Sequence, residues 1–343
     1  GNIYLAGVVG VSPPFDNELA VVKLTSTGAF DNSFDLDGKQ YYNLGAGNEF
    51  GEGICVLSNG NILVGLNAGV NMALLCLYPS GNLASSFGNS GYTSIAFSGN
   101  SSLEDLKIDN AGRIVVCGIV TGSGATGDNI GVARYLSNGT PDPNFASNGK
   151  FESDLSGSDD NMYALSILPN NKILLAGSGY YSATADDFLV AQLDSNGTAD
   201  NTFNNSTWYY KMNSAYPASS ESFKGISLLS NGTILAVGTV VFSSAVNEHV
   251  FIARLKNSAP LSVTRVSEEA KLMMAPNPFF QSIAIESKYN TSLQLLDAKG
   301  SLIQTLAIVK GKNSISLDEL NPGLYFIIDT QSGLTQKLVK MND

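Results

Sequence analysis

Residues 188–203 read F-L-V-A-Q-L-D-S-N-G-T-A-D-N-T-F, an alternating apolar strand that leads into an Asn-Gly turn. An Asp and a Phe follow the glycine by three and six residues. The pattern returns at 19–34, 72–87 and 130–145, while residues 250–255 keep the strand alone. Recurrence at a near-constant spacing is typical of repeat architectures, and it indicates the fold class before any single residue does.

Each repeat contains four strand-like segments, which we call a, b, c and d in chain order, and the quoted stretch begins with segment c. Short turns of the Asn-Gly type join a to b, and such turns between apolar runs indicate hairpins. Successive b segments are 52 to 61 residues apart, measured between Ile3, Ile62, Ile114, Ile173 and Ile234. An antiparallel four-stranded unit of this length predicts an all-β protein with a β-propeller over residues 1–256. A β-solenoid, which uses shorter coils, is the weaker alternative.

The chain enters the repeat at segment b and leaves it after the fifth segment c. Segment a is predicted at 53–57, 103–108, 164–168 and 225–229, and segment d at 39–44, 92–97, 150–155 and 207–212. Five blades are therefore visible, of which the first lacks strand a and the fifth lacks strand d. One d and one a strand would complete their ring. We expect those two strands upstream of Gly1, where further whole repeats would instead give six or seven blades.

The residues that follow segment c are interpreted as structural. An Asp placed three residues after a turn glycine commonly binds nearby backbone N–H groups, and the Phe packs beneath the loop. The positions are Gly28, Asp31, Phe34, Gly81, Phe87, Gly139, Asp142, Phe145, Gly197, Asp200 and Phe203. Calcium binding is the alternative, although the spacing does not match a twelve-residue calcium loop. The sequence therefore predicts no cofactor and no metal site, and it leaves calcium as the open alternative.

The charge of the chain is sparse and unevenly distributed. Charged residues make up 14% of the 343 residues, and the net charge is −11. Residues 264–343 contain eight basic and eight acidic residues, so the whole excess lies in residues 1–263. An acidic surface repels phosphate backbones, which argues against a nucleic-acid partner. No apolar run approaches the roughly 20 residues that span a bilayer, so no transmembrane segment is expected.

Residue types suited to catalysis are few. His249 is the one histidine, which excludes His-based catalytic triads and multi-His metal sites. Cys55, Cys76 and Cys117 fall within apolar strand patterns and are interpreted as small buried side chains. The sequence assigns no catalytic residue, and an enzyme is the less favoured interpretation.

One predicted face of the propeller is rich in carboxylates. The b–c and d–a connections of a blade lie on the same face, and variable loops on a regular scaffold commonly bind ligands. The candidate ligand-binding residues are Glu18, Glu49, Glu52, Glu104, Asp105, Asp128, Asp159, Asp160, Tyr180, Tyr181, Asp186, Asp187, Glu221 and Glu248. The same connections contain Phe15, Asp16, Phe50, Tyr163 and Tyr216. Carboxylates beside aromatic rings suit sugars or cations, and the alternative is a solvated acidic rim that maintains solubility.

The repeat pattern ends after Lys256. Residues 257–274 contain no repeat element and are predicted to be a linker. Residues 275–343 contain six or seven short strand-like segments separated by turn residues. Such a succession predicts a small C-terminal β-sandwich.

The repeat resembles the delta-60 repeat family, in which a lysine-containing turn and apolar strand precede an Ala-Arg-Leu strand and a Gly-x-x-Asp-x-x-Phe tail. Two repeats carry these blocks, at 112–118 with 132–145 and at 171–177 with 189–203. Leu66 replaces the glycine that ends segment b, and Ala84 replaces the tail Asp. The resemblance implies a secreted propeller-like array and supplies no catalytic residues.

The C-terminal residues resemble the type A sorting domain of the type IX secretion system. The motifs are Pro276-Asn277-Pro278-Phe279, Leu296-Asp297-x-x-Gly300, Gly323-Leu324-Tyr325-Phe326 and the basic, apolar end from Lys337 to Lys340. The resemblance implies a Gram-negative bacterium of the Bacteroidetes type and export through the periplasm and across the outer membrane. It also implies the secretion machinery as a partner, with cleavage of the domain and surface attachment or release as common later steps.

These observations favour a secreted or surface-displayed propeller that binds a glycan, a cation or another protein through its acidic loops. A glycosidase-like enzyme with two carboxylates at the channel mouth is the first alternative. A structural surface protein without a small ligand is the second. The sequence distinguishes no carboxylate pair from the rest, so binding is the preferred hypothesis.

Overall fold

The structure is a computed structural model that describes residues 1–10, 17–45, 47–121, 127–155, 157–181, 185–204, 206–213, 219–229, 232–242, 248–256, 273–298, 300–331 and 335–341. Every regular element in these residues is a β-strand. The chain divides into two compact units, Gly1–Val263 and Thr264–Asp343. The boundary falls inside the predicted linker, whose residues 257–272 lie outside the described part of the chain.

The first unit contains five consecutive antiparallel sheets, which we call blades 1 to 5. Blade 1 contains β1 (Ile3–Gly10), β2 (Asn17–Leu24) and β3 (Lys39–Tyr42). Blade 2 contains β4 (Glu49–Val56), β5 (Ile62–Ala68), β6 (Asn71–Leu77) and β7 (Tyr92–Ile95). Blade 3 contains β8 (Ser101–Ile108), β9 (Ile114–Thr121), β10 (Asp128–Tyr135) and β11 (Lys150–Ser153).

Blade 4 contains β12 (Asp160–Ile167), β13 (Ile173–Tyr181), β14 (Ala185–Leu193) and β15 (Tyr209–Met212). Blade 5 contains β16 (Ser219–Leu228), β17 (Thr233–Phe242) and β18 (Glu248–Lys256). Within each sheet, neighbours in sequence are neighbours in space, so the predicted order a-b-c-d is confirmed in blades 2 to 4. Among the described residues, blade 1 shows strands b, c and d, and blade 5 shows a, b and c, as the strand count predicts.

The Phe that follows strand c packs against the turn glycine of the next blade. Between blades 2 and 3, a Cβ atom on Gly139 would lie 2.7 Å from the ring of Phe87. Gly139 also has a φ of +84°, a conformation that side chains disfavour. Next to this contact, the N–H of Gly88 donates a 2.7 Å hydrogen bond to the carbonyl oxygen of Asn138. The same arrangement joins blades 1 and 2 through Phe34 and Gly81, and blades 3 and 4 through Phe145 and Gly197.

The tail Asp holds this loop to its own strand c. Asp142 accepts a 3.0 Å hydrogen bond from the N–H of Asn144 and a 2.8 Å hydrogen bond from Nε of the buried Arg134. Lys23 with Asp31 and Gln192 with Asp200 repeat the pairing. Blade 2 has Ala84 in place of the Asp and Cys76 in place of the partner, so it lacks both members of the pair.

Asp200 provides a test of this loop contact. Burial raises the pKa of its carboxyl, but the hydrogen bonds from Lys172, Thr202 and Gln192 outweigh burial and lower the pKa from 3.8 to about 2. A lowered pKa stabilises the folded state above the unfolded pKa, and the contribution is lost as the pH falls towards 2. We expect Asp200→Asn to cost about 2 kcal/mol of unfolding free energy at pH 6 and almost nothing at pH 2. Urea denaturation across that pH range measures the difference, and a pH-independent cost would contradict it.

The last blade exposes a face that is covered in every earlier blade. Two strand-c positions are fully buried by the following blade, as at Phe188 and Val190 of blade 4. The equivalent residues of blades 1 to 3 are equally buried: Leu19 and Val21, Met72 and Leu74, Ile130 and Val132. In blade 5 the equivalent residues, Val250 and Ile252, are 76% and 58% exposed.

The open face predicts unequal costs for truncation at equivalent positions. Leu74→Ala removes a fully buried side chain and is expected to cost about 2–5 kcal/mol of unfolding free energy. Ile252→Ala removes a side chain that is 58% exposed and is expected to cost less than about 1 kcal/mol. Urea denaturation of both full-length variants tests the pair. Equal losses would show that the face of blade 5 is covered in solution.

The second unit is a seven-stranded sandwich, as predicted. One sheet contains β19 (Met273–Ala275), β20 (Ser282–Ser287) and β23 (Gly311–Ser316). The other contains β21 (Thr291–Asp297), β22 (Leu302–Ile308), β24 (Gly323–Asp329) and β25 (Thr335–Lys340). The strands begin two residues before the predicted boundary at residue 275. Their inner faces share a core that includes Ile285, Leu295, Ile327 and Leu338.

The motif residues of this unit connect its beginning to its end. The side chain of Asn277 accepts a hydrogen bond from the N–H of Val339 at 3.0 Å and donates one to the carbonyl oxygen of Lys337 at 2.7 Å. Phe279 is fully buried, and the Lys340 ammonium donates to the carbonyl oxygens of Leu317 and Asp318. Pro276 and Pro278 flank the Asn, and Gly323 and Tyr325 lie in β24. The opening and closing motifs therefore form one contact region.

Candidate functional site

The innermost strands of four blades share a β-bulge. Strands β4, β8, β12 and β16 each contain one residue more than the strand b that pairs with them. The extra residue is the fourth of β4, β8 and β12 and the sixth of β16. Each of these strands begins two to six residues before the start that the sequence predicted for segment a. In three blades the predicted start lies just after the bulge. A bulge breaks the alternation that identifies a strand, which is the reason for the error.

In blades 3 to 5, a glycine on strand b makes room for the bulge. A Cβ atom on Gly177 of β13 would lie 1.8 Å from the carbonyl oxygen of Asn161, on the bulged strand. A Cβ atom on Gly118 would lie 1.9 Å from the carbonyl oxygen of Ser102, and one on Gly238 would lie 2.0 Å from that of Ser222. In blade 2 the small and the large residue of this pair are exchanged. Leu66 occupies the glycine position on strand b, and Gly51 is its partner on strand a. The replacement of the segment-b glycine by Leu66 is therefore accompanied by a second change, in the strand that pairs with it.

The extra residue of each bulge is Glu52, Glu104, Tyr163 or Lys224, in blades 2, 3, 4 and 5 respectively. These four side chains interact across four blades. The Lys224 ammonium lies 3.0 Å from the centroid of the Tyr163 ring. The charges of Glu52 and Lys224 both act on the Glu104 carboxyl. We call these four residues the bulge cluster.

The surroundings of the bulge cluster shift its pKa values. Burial, followed by the charge of Glu52, raises the pKa of Glu104, although its 3.3 Å hydrogen bond from Ser102 and the charge of Lys224 oppose this. Burial raises the pKa of Tyr163, and the charges of Glu104, Asp186 and Asp128 raise it further. Three carboxylates from two blades therefore act on a single aromatic side chain.

Further carboxylates continue this acidic region. Asp159 accepts a 2.9 Å hydrogen bond from the N–H of Asp128. Burial raises the pKa of Asp186, and the charges of Asp159 and Asp187 add to it, while a hydrogen bond with Ser220 lowers it. Asp186 also pairs directly with Tyr180 across β13 and β14. The predicted acidic face thus contains one connected group of carboxylates near the bulge cluster.

Three candidate acids lie inside the protein. Glu49 and Asp160 are fully buried. Each accepts a hydrogen bond from a backbone N–H just after strand d: Glu49 from Leu44 at 3.3 Å and Asp160 from Leu155 at 2.6 Å. Glu221 is also buried and accepts a 3.0 Å hydrogen bond from Ser219. Glu49 and Asp160 therefore lie beneath the d–a loops, and all three acids are buried.

The remaining candidates are partly accessible. Asp105 accepts a 2.9 Å hydrogen bond from the N–H of Leu165 in the next blade and forms a salt bridge with Lys107. Glu18 and Asp187 accept hydrogen bonds from Asn43 and Asn213. Tyr180 is exposed, whereas the side chains of Tyr181 and Glu248 lie outside the described structure. Phe15, Asp16 and Tyr216 also lie outside the described residues.

Lys224 was not among the residues predicted from the sequence. A signal for it existed, because it occupies the position of Glu52, Glu104 and Tyr163 when the four strands are aligned on their bulges. His249 lies in β18. Burial raises the pKa of Cys55 to about 11 and also raises the pKa values of Cys76 and Cys117, so these thiols stay protonated at neutral pH. Within the described part of the chain, no three His, Cys, Asp or Glu side chains are grouped so as to hold a metal ion.

Comparisons with known proteins agree with the architecture. A β-propeller family, a domain of unknown function called DUF5122, matches residues 112–145 and 168–203. The secretion system C-terminal sorting domain family matches residues 273–341. The β-propeller and the sorting domain are confirmed. No curated protein matches the chain.

Several solved structures are similar to the chain at low identity. PorZ, a surface component of the type IX secretion system of Porphyromonas gingivalis, has 12% identity over 97% of this chain and 51% of its own, with a TM-score of 0.33. The chain thus spans about half the length of PorZ. A Lactobacillus plantarum protein has 14% identity over 92% and 85%, with a TM-score of 0.44. A family 43 glycoside hydrolase from Bacillus licheniformis has 11% identity over 97% and 90%, with a TM-score of 0.37.

The sorting domain determines where the propeller acts. It directs the chain to the cell surface or the exterior, and it makes the secretion machinery the partner of the C-terminal unit. No helix in the described residues is long and apolar enough to cross a membrane. The propeller therefore belongs to a protein secreted to the cell surface or the exterior.

Proposed function

We propose that the secreted propeller is a binding module that takes a cationic ligand at the bulge cluster. The observation that carries this proposal is the Tyr163 ring, which has the Lys224 ammonium 3.0 Å from its centroid. The charges of Glu104, Asp186 and Asp128 also act on this side chain and add to the effect of burial in raising its pKa. An aromatic ring bordered by carboxylates attracts organic cations through the ring face and through charge. Among the three ligand classes open from the sequence, the cation therefore has the most specific support.

Accessibility supports the same placement. Glu52 is exposed, and Glu104 and Tyr163 are half-buried, so a ligand can reach them from solvent. Burial of Glu104 makes ionisation of its carboxyl costly, and an arriving cation would reduce that cost. Glu49, Asp160 and Glu221 are not part of the proposed site, because all three side chains are buried.

Titration of the full-length protein with butyltrimethylammonium chloride tests the proposal. We expect Glu104→Gln and Asp186→Asn each to weaken binding by about fivefold, since each removes one attractive charge. Asp37→Asn is the matched control, because Asp37 is an exposed acid in the c–d connection of blade 1. Isothermal titration calorimetry at low salt measures all four affinities, and calcium chloride provides a comparison of cation class.

Two results would contradict the proposal. An equal effect of Asp37→Asn and Glu104→Gln would mean that only the overall charge attracts the cation. Binding of neutral oligosaccharides without binding of the ammonium probe would transfer support to a glycan ligand.

A glycosidase-like activity is the second candidate, and one observation favours it. Burial and the neighbouring charge of Glu52 raise the pKa of Glu104, and glycosidases use a carboxylic acid of raised pKa beside a second carboxylate. We expect such an enzyme to release nitrophenol from an aryl glycoside and to lose that activity in Glu104→Gln. If a panel of aryl glycosides is not hydrolysed by the wild-type protein, this candidate is wrong.

A further inference from the structure

The bulge cluster already holds one cation, the ammonium group of Lys224. Its Nζ atom lies 3.0 Å from the centroid of the Tyr163 ring, well within the roughly 6 Å at which cation–π attraction acts. Among the described residues, no ion pair or hydrogen bond holds this ammonium group, although the charge of Glu104 acts on it. The aromatic face and the nearby carboxylate therefore supply its main attraction.

The backbone of Lys224 is fixed, whereas its side chain can leave. Phe223, the residue before it, is fully buried and stacks on Phe188 with ring centroids 4.4 Å apart. The side chain of Lys224 is itself exposed, and its four-carbon stem has several rotamers available. Desolvation lowers the pKa of its ammonium group, so a rotation into water would restore hydration. Movement of this side chain requires no rearrangement of β16.

We propose that Lys224 occupies the ligand's place on Tyr163, and that an external alkylammonium group displaces it. The ligand class is an alkylated organic cation, such as one with a quaternary ammonium group. This inference rests on the proposed function, because it assigns a competing residue to the same site. Lys224 would then set the affinity threshold and favour cations that bind the ring better than a primary ammonium does.

Replacement of Lys224 provides a direct test. We expect Lys224→Gln to bind butyltrimethylammonium about fivefold more tightly than the wild-type protein, since the internal competitor is gone. Lys224→Arg keeps a cation over the ring and is expected to bind as weakly as the wild type or more weakly. Tyr163→Leu in the Lys224→Gln background should remove the gain. Isothermal titration calorimetry on the full-length proteins measures the affinities, and thermal melting confirms that each variant is folded.

Lys39→Gln is the matched control. The Lys39 ammonium lies 4.4 Å from the Phe30 ring, so this variant also removes one positive charge and one cation–π contact. We expect its affinity for the probe to equal that of the wild type. A fivefold gain in both variants would show that net charge alone is responsible, and it would overturn the inference.

The outcomes separate this inference from the proposed function. If the wild type binds the probe and Lys224→Gln binds it equally or more weakly, the displacement is wrong and the binding site stands. If neither protein binds the probe, the proposed cation site is itself wrong. Tighter binding by Lys224→Gln that is lost with Tyr163→Leu supports both.

Discussion

Strand a of blades 2 to 5 contains one residue more than strand b can pair with. A carbonyl group of the bulged strand then presses towards strand b, where a Cβ atom at Gly118, Gly177 or Gly238 would lie within about 2 Å of it. The glycine and the bulge therefore fit each other, and in blade 2 both positions differ together, as Gly51 and Leu66. Because strand a carries the bulge in each of blades 2 to 5, it brings the extra side chains of successive strands to one region.

The acids of the propeller have two distinct physical roles, which their number in the sequence does not reveal. Asp142 and Asp200 accept several hydrogen bonds each and are buried, so their charges are satisfied within the loops that join strands c and d. Glu104 and Asp186 have raised pKa values, because burial and neighbouring carboxylates disfavour their charged forms. The first pattern stabilises the fold, and the second is typical of groups that await a partner.

Much of the fold could be predicted from the sequence. The recurring Gly-x-x-Asp-x-x-Phe tail and the apolar strands gave the number and order of the described blades, since each strand is short and bounded by turn residues. The acids of the candidate site were expected in the connections between strands, whereas Glu52, Glu104 and Asp186 lie within β4, β8 and β14. The bulges were not predictable, since an extra residue interrupts the period-2 pattern on which strand prediction depends. Lys224 was missed for the same reason, because its equivalence to Tyr163 appears only after the bulges are aligned.

The central claim is that the bulge cluster binds a cation at the place that Lys224 occupies. A crystal structure of the full-length protein with butyltrimethylammonium tests it most directly. We expect the quaternary nitrogen within about 6 Å of the Tyr163 ring centroid, with the Lys224 side chain turned into solvent. A cation bound elsewhere, or Lys224 still over the ring beside a bound ligand, would contradict it.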